Sequence, residues 1–122
     1  MGHVFLLAFD SEGAYQLGKQ LRILGHRVTQ TPPKAPDFLD LLKQQRIPPD
    51  VFVGDCGQRP NLVRESCAYI RGMKAYATTP FLLLNVRPEE QAAAVAKVPG
   101  AETVAGDKAL EHVKVLLAKP AA

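Results

Sequence analysis

"PPDVFVGDCGQRPN", residues 48–61, decides how the rest of the chain is read. Pro48-Pro49 stops whatever precedes it, the apolar triplet Val51-Phe52-Val53 follows, and Gly54-Asp55 leads into a small, polar and basic loop from Cys56 to Pro60. A short continuous apolar run without alternation is the mark of a strand buried on both faces of a parallel sheet. Residues 50–54 are therefore expected to form such a strand, delivering Asp55 at its carboxyl end, where α/β proteins place their chemistry. Asp55 is then either a working acid or a residue that closes the turn.

Similar runs lie on both sides. Residues 4–9 and 81–84 are continuously apolar and read as strands, the second running on to Asn85 with Pro80 tolerated just ahead of it; residues 26–30 and 102–105 are weaker strands. Between them, Ala14, Leu17, Leu21 and Leu24 recur at helical spacing from Glu12, and Gly25 closes that helix. The Pro-rich 31–36 stretch reads as a stiff turn before a short helix with Phe38, Leu41 and Leu42 inward. Val63, Cys67 and Ile70 line a third helix ending near Gly72. Pro88-Glu89-Glu90 suits the first turn of an alanine-rich fourth, and Asp107 can cap a last one carrying Leu110, Val113, Leu116 and Leu117.

Five strands alternating with five helices predict a (βα)5, flavodoxin-like, three-layer α/β sandwich. Its sheet would be parallel and five-stranded, in the order 2-1-3-4-5. One domain over residues 1–118 is expected, with 119–122 as a tail or the start of a linker, since 122 residues suit a single core.

Composition narrows the function classes. With 47% hydrophobic and 22% charged residues the chain is ordinary for a globular protein, and no apolar run approaches the ~18–20 residues of a membrane span. Met1-Gly2-His3 runs straight into apolar residues without a basic region, so a cytoplasmic location is expected. Cys56 and Cys67 are too few for a disulfide framework and lack metal-ligand spacing. The net charge of +3 comes from 15 scattered Lys and Arg without an accompanying aromatic cluster, which argues against nucleic acid.

Two acids stand at strand ends, Asp10 and Asp55, and at the switch point of a 2-1-3-4-5 sheet they should face each other. Facing carboxylates suit Mg2+ and phosphate chemistry. Each alone also reads plainly: Asp10 as a helix cap, Asp55 as an Asx-turn. Other chemistries fit less well. Gly13 to Lys19 spells G-x-x-x-x-G-K, but Gln20 follows where Ser or Thr is needed, and the stretch lies inside a helix. Gly54 and Gly57 do not make a dinucleotide fingerprint. Cys56 has no histidine partner and a carboxylate beside it, and His3, His26 and His112 do not cluster, so no catalytic group is assigned and the chain is not expected to be an enzyme.

The run "PDVFVGD" at 49–55 resembles the third-strand signature of response-regulator receiver domains, "TPFLLLN" at 79–85 their fourth strand, and "PGAE" at 99–102 the turn before their fifth. The resemblance covers essentially the whole chain and implies bacterial two-component signalling, with Asp55 in the place of the phosphoacceptor. A working receiver also has an acidic pair holding Mg2+, a Ser or Thr ending strand four, and a Lys-Pro pair after strand five. Here the acidic pair falls on Phe9 and Asp10, or on Asp10 and Ser11; Asn85 takes the hydroxyl's place and Asp107 the lysine's. Val104 stands where many receivers carry an aromatic switch, and Lys108 is the nearest cation.

Two negative groups must meet for phosphoryl transfer to Asp55, and a unit-charge pair at ~4 Å costs about 4 kcal/mol at an effective dielectric of ~20. The resemblance with these departures implies a pseudo-receiver that binds a protein partner without phosphorylation and needs no cofactor. Its expected docking face joins helix four, strand five and helix five. That face would carry Ala92, Ala93, Ala96, Lys97 and Val104, then Lys108, Glu111, His112 and Lys114. The alanines there fit a self-association surface, hence a homodimer, as well as they fit plain helix formation. Two alternatives stay open: an atypical regulator phosphorylated on Asp55 with Mg2+ held by Asp10 and Asp55, and a small-ligand-binding module of flavodoxin-like fold.

Overall fold

A computed structural model of the protein describes residues 2–9, 11–31, 38–57 and 59–118. Its strands are β1 (His3–Leu7), β2 (Arg27–Gln30), β3 (Val51–Asp55), β4 (Phe81–Leu84) and β5 (Glu102–Val104). The helices are α1 (Glu12–Ile23), α2 (Phe38–Lys43), α3 (Pro60–Arg71), α4 (Gln91–Lys97) and α5 (Ala109–Ala118). Single 3₁₀ turns over Lys74–Tyr76, Pro88–Glu90 and Gly106–Lys108 precede β4, α4 and α5. The sheet is parallel with the order β2-β1-β3-β4-β5, the (βα)5 architecture expected from the alternation of runs.

Every residue of β1, β3 and β4 is buried, and strand alternation sorts their side chains into two cores. Val4, Leu6, Val51, Val53, Leu82 and Leu84 face α1 and α5, where Ala14, Leu17, Leu21, Ala109, Val113 and Leu116 meet them. Phe5, Leu7, Phe52, Phe81 and Leu83 face the other way, onto Leu42, Val63, Cys67, Ile70, Ala94 and Val98. Phe52 is the centre of that side: its ring lies 4.7 Å from Phe81, 5.1 Å from Tyr76 and 5.6 Å from Phe5. Arg71, at the end of α3, lies 4.4 Å above the Phe81 ring and donates to the carbonyls of Tyr76 and Ala77. Its stem seals the core while its charge holds the next turn.

Gly54 sets the distance between sheet and helix. A β-carbon there would lie 2.6 Å from Val63 Cγ1 and 3.2 Å from Cys67 Sγ, so only glycine lets α3 lie this close to β3.

Some expectations change in detail. Leu24 is 48% exposed and ends α1 as its C-cap, because Gly25 at φ +91° turns the chain away from the core. The cap of α1 is Ser11, whose hydroxyl accepts from Ala14 N–H; Asp10 lies outside the described residues. Asp107 does not cap α5 but sits within the 3₁₀ turn before it, which has no side-chain cap bond. Pro88-Glu89-Glu90 likewise forms a 3₁₀ turn ahead of α4. Residues 32–36 of the Pro-rich stretch, the Phe38 side chain and residues 119–122 lie outside the described residues.

Phe52→Ala should lower unfolding stability by about 3–5 kcal/mol through loss of three ring contacts, and Gly54→Val by about 1–3 kcal/mol through overpacking. Urea titration followed by circular dichroism reads both, with a lower midpoint at unchanged slope expected.

Candidate functional site

The strands' carboxyl ends converge on Asp55, the last residue of β3 and 6% exposed. Its Oδ2 accepts from the Ser11 hydroxyl at 2.5 Å. Its Oδ1 accepts from Gly57 N–H at 2.8 Å, closing an Asx-turn, and from Asn85 Nδ2 at 3.1 Å. The donors that reach this carboxylate among the described residues are thus all uncharged, and both oxygens are occupied.

Each donor is delivered by a strand end. Thr31, just past β2, accepts from the N–H groups of Ala8 and Phe9 and so finishes β1. Phe9 then turns at φ +33°, a costly conformation for a bulky residue, held because its ring is 1% exposed among the side chains facing α2, α3 and α4. That turn brings Ser11 N–H to the carbonyl of Ala8, and the Ser11 hydroxyl both caps α1 and donates to Asp55. A helix N-terminus next to a carboxylate favours its negative charge.

Asn85 follows β4 at φ +58°, a left-handed position that asparagine tolerates better than most residues. Its backbone N–H donates to the carbonyl of Val104, its Nδ2 to Asp55, and its Oδ1 accepts from Gly106 N–H at 3.0 Å. A β-carbon on Gly106 would come within 3.0 Å of that amide, so glycine is what allows the loop after β5 to close on Asn85. One carboxylate therefore ties together the loops after β1, β3, β4 and, through Asn85, β5.

The residues singled out from the sequence divide accordingly. Ser11, Asp55 and Asn85 are brought together; Phe9 is in the core, away from the carboxylate. Asp107 and Lys108 are exposed and line a surface recess with Glu111, His112 and Val115 along the start of α5. Asp10, the second expected acid, is outside the described residues. Among the described residues no three His, Cys, Asp or Glu side chains gather to hold a metal ion. The described groups at Asp55 are hydroxyl, amide and backbone donors, a set that satisfies a carboxylate.

Cys56, next along, is buried, and its thiol is pushed up to about 11, first by burial and then by the neighbouring Asp55 and Glu90, against the pull of Arg64. Burial pushes the Cys67 thiol up as well. Neither suits a nucleophile. Beside Asn85, a crevice of about 360 Å3 opens between β4 and β5, lined by Val86, Gln91, Thr103, Val104 and Ala105.

On the expected docking face, Ala92, Ala93, Val95, Ala96 and Lys97 of α4 are exposed while Ala94 and Val98 are buried. Lys97 pairs with Glu65, Glu111 with Lys114, and His112 with Glu102 across from β5. Val104 is partly buried against the α1 and α5 core. At the opposite end of the sheet, His3, which in the sequence looks like a terminal residue, is 1% exposed. Its Nδ1 donates to the Ile47 carbonyl and its Nε2 meets Thr29 Oγ1, which in turn donates to Gln45. A histidine heading a strand of apolar residues was the available signal for this anchor.

Among solved structures, the chain is similar to the crystal structure, at 1.86 Å resolution, of a protein from Chloroflexus aurantiacus J-10-fl provisionally described as a response regulator. The TM-score is 0.73 at 18% sequence identity, over 97% of this chain and 98% of that one. No protein-family model matches the chain, and no curated protein matches it significantly. The likeness defines the class: a receiver-like (βα)5 fold.

Asp55→Ala strands the donors of Ser11, Gly57 and Asn85 and should cost about 1–3 kcal/mol of stability, whereas Asp55→Asn, which keeps the Oδ1 acceptor, should cost about 1 kcal/mol. Urea midpoints separate the two. With its thiol raised from 9.0 to about 11, Cys56 is protonated at pH 8 and should not react with Ellman's reagent in the folded protein; its contribution to stability is full below pH 9 and is lost as the pH rises through about 11. Reaction timed against unfolding in urea checks this.

Proposed function

We propose that this protein is a phosphorylation-independent signalling module: a pseudo-receiver that works by binding a protein partner. The observation that supports this most is the state of Asp55. Both oxygens of its carboxylate accept hydrogen bonds from Ser11, Gly57 and Asn85, and these bonds join the four loops that a phosphoryl group would have to enter. Hydrogen bonds to a charged group contribute about 1.5–3 kcal/mol each, so exposing one oxygen for attack costs at least one of them before any charge repulsion is met. Phe9 buries in the core a side chain that one alignment puts in a metal-binding place, and Asn85 has neither the hydroxyl nor the freedom of Ser or Thr.

Docking on α4, β5 and α5 follows from the same reading. The exposed alanines 92, 93 and 96 allow a partner's backbone to approach closely, with Lys97 beside them on α4, and Lys108, Glu111 and His112 at the start of α5 add charge of both signs. A second copy of the chain is one partner such a surface accommodates. Neither a cofactor nor catalysis is required by it.

Incubation with acetyl phosphate and Mg2+, read by intact mass, should leave the protein unmodified. Mg2+ titration followed by 15N spectra should leave the amides of Ser11, Cys56, Gly57 and Gly106 in place. Stoichiometric phosphorylation of Asp55, lost in Asp55→Asn, would establish instead the atypical regulator with Mg2+ on Asp10 and Asp55. Sedimentation of the wild type against Ala93→Glu tests self-association on α4: a dimer dispersed by the substitution identifies the partner as another copy.

A further inference from the structure

At the amino ends of the strands, opposite Asp55, lies a recess of about 480 Å3 lined by Gly2 and His3 at the head of β1, Gly25, His26 and Arg27 between α1 and β2, and Ile47 and Asp50 ahead of β3. Its size falls within the roughly 300–1,000 Å3 of small-ligand sites. The groups around it are held by bonds of the fold. Gly25 at φ +91° turns the chain after α1, and His26 N–H donates to the Leu21 carbonyl, which sets the imidazole at the recess. Gly2 N–H donates to Nδ1 of that ring at 3.1 Å, so the neutral imidazole carries its proton on Nε2 and keeps a donor to offer. Asp50 is held twice: its N–H donates to the His3 carbonyl at 2.7 Å, and its Oδ2 accepts from His3 N–H at 2.8 Å. Ile47 is anchored by its carbonyl, which accepts from the buried His3 ring, and the residue is 49% exposed.

Arg27 stands opposite His3 in the β1–β2 register, so both side chains leave the sheet on the face where His3 meets Ile47. Among the described residues, neither the Arg27 guanidinium nor the second oxygen of Asp50 has a hydrogen-bond or ion-pair partner, and the two do not pair with each other. One recess therefore carries one positive and one negative group, both uncompensated, with a neutral imidazole donor in the same lining. A simple anion would satisfy Arg27 and be repelled by Asp50, and a simple cation would do the reverse. A ligand bearing one carboxylate and one ammonium satisfies both, and its carboxylate also finds the His26 donor. Ile47 adds a single aliphatic contact, and no second pair of charges lines the recess, so the complementary ligand is small.

We infer that this recess binds a small zwitterion, a free α-amino acid with an aliphatic side chain, at a site separate from Asp55 and from the α4, β5 and α5 face. The ligand's carboxylate accepts from Arg27 and from His26 Nε2, its ammonium donates to the remaining Asp50 oxygen, and its side chain packs on Ile47. His26 and Asp50 need no rearrangement to receive it, because the bonds to Gly2 and His3 already fix them.

The test records 15N spectra of the protein with L-leucine, with leucinamide, which lacks the carboxylate, with N-acetyl-leucine, which lacks the ammonium, and with inorganic phosphate and Zn2+ alone. Leucine should shift the amides of Gly25, His26, Arg27, Ile47 and Asp50 and saturate. Capping either charge should weaken binding about tenfold or more, the scale of one lost hydrogen bond to a charged group. Arg27→Gln and His26→Asn should each weaken leucine about fivefold or more; the asparagine keeps an acceptor for Gly2 N–H while removing the distal donor. Circular dichroism confirms that both variants fold. No saturable shift with leucine, equal binding of either capped form, indifference to both substitutions, the same shifts from phosphate or Zn2+ alone, or leucine shifts at Asp55, α4 or α5 would each overturn the assignment. None of these results bears on whether Asp55 is phosphorylated or on whether a protein docks at α4, β5 and α5.

Discussion

The central strand Val51–Asp55 has no solvent face, and the rest of the molecule is arranged around that constraint. Burial on both sides forces helices onto both faces of the sheet, splits the core in two, and leaves polar chemistry only the strand's end. A carboxylate at that end, 6% exposed, must be hydrogen-bonded from nearby or be expelled. Here the surrounding loops bend to meet it. Ser11, Gly57 and Asn85 supply the donors, and the unusual backbone of Phe9 and Asn85 is the conformational cost of bringing two of them there.

A receiver-like fold and an aspartate hydrogen-bonded at both oxygens are compatible. The architecture needs a turn after β3 and something to close it, and an Asx-turn whose carboxylate also meets the side chains of Ser11 and Asn85 does so. The bonds that stabilise the site occupy both oxygens of the carboxylate. Stability and reactivity compete for the same lone pairs.

Much of the fold was legible because its signals are physical and local. Residues 4–9, 51–53 and 81–84 are apolar without alternation, and only a doubly covered strand buries both faces of such a run. Asn85 could be placed by counting from Pro80, because β4 is regular from Phe81 onward. The site was legible only in part. The cap of α1 was expected at Asp10 and is Ser11, and nothing local says that the same hydroxyl also reaches a residue 44 positions away. Phe9 looked like strand, since a left-handed φ at a phenylalanine has no sequence signature and is imposed by tertiary packing. Leu24 kept the helical period but lies one turn beyond the sheet's cover, and His3 at the head of an apolar run signals a buried ring without naming its distant partners Ile47 and Thr29.

The pairing of β1 with β3 has a further consequence, for the order in which the molecule can be made. Val4 pairs with Val51, so the first strand finds its central neighbour only after a further 47 residues have been synthesised, the difference between positions 51 and 4. Closing so long a loop carries its entropic cost before the buried contacts offset it, which places such parallel sheets among the slower folders. On the ribosome β1 must wait, able to pair with β2 but with its other edge open. Lys43, Arg46, Pro48 and Pro49 lie between β2 and β3, charged and proline residues of the kind that discourage pairing at an open strand edge.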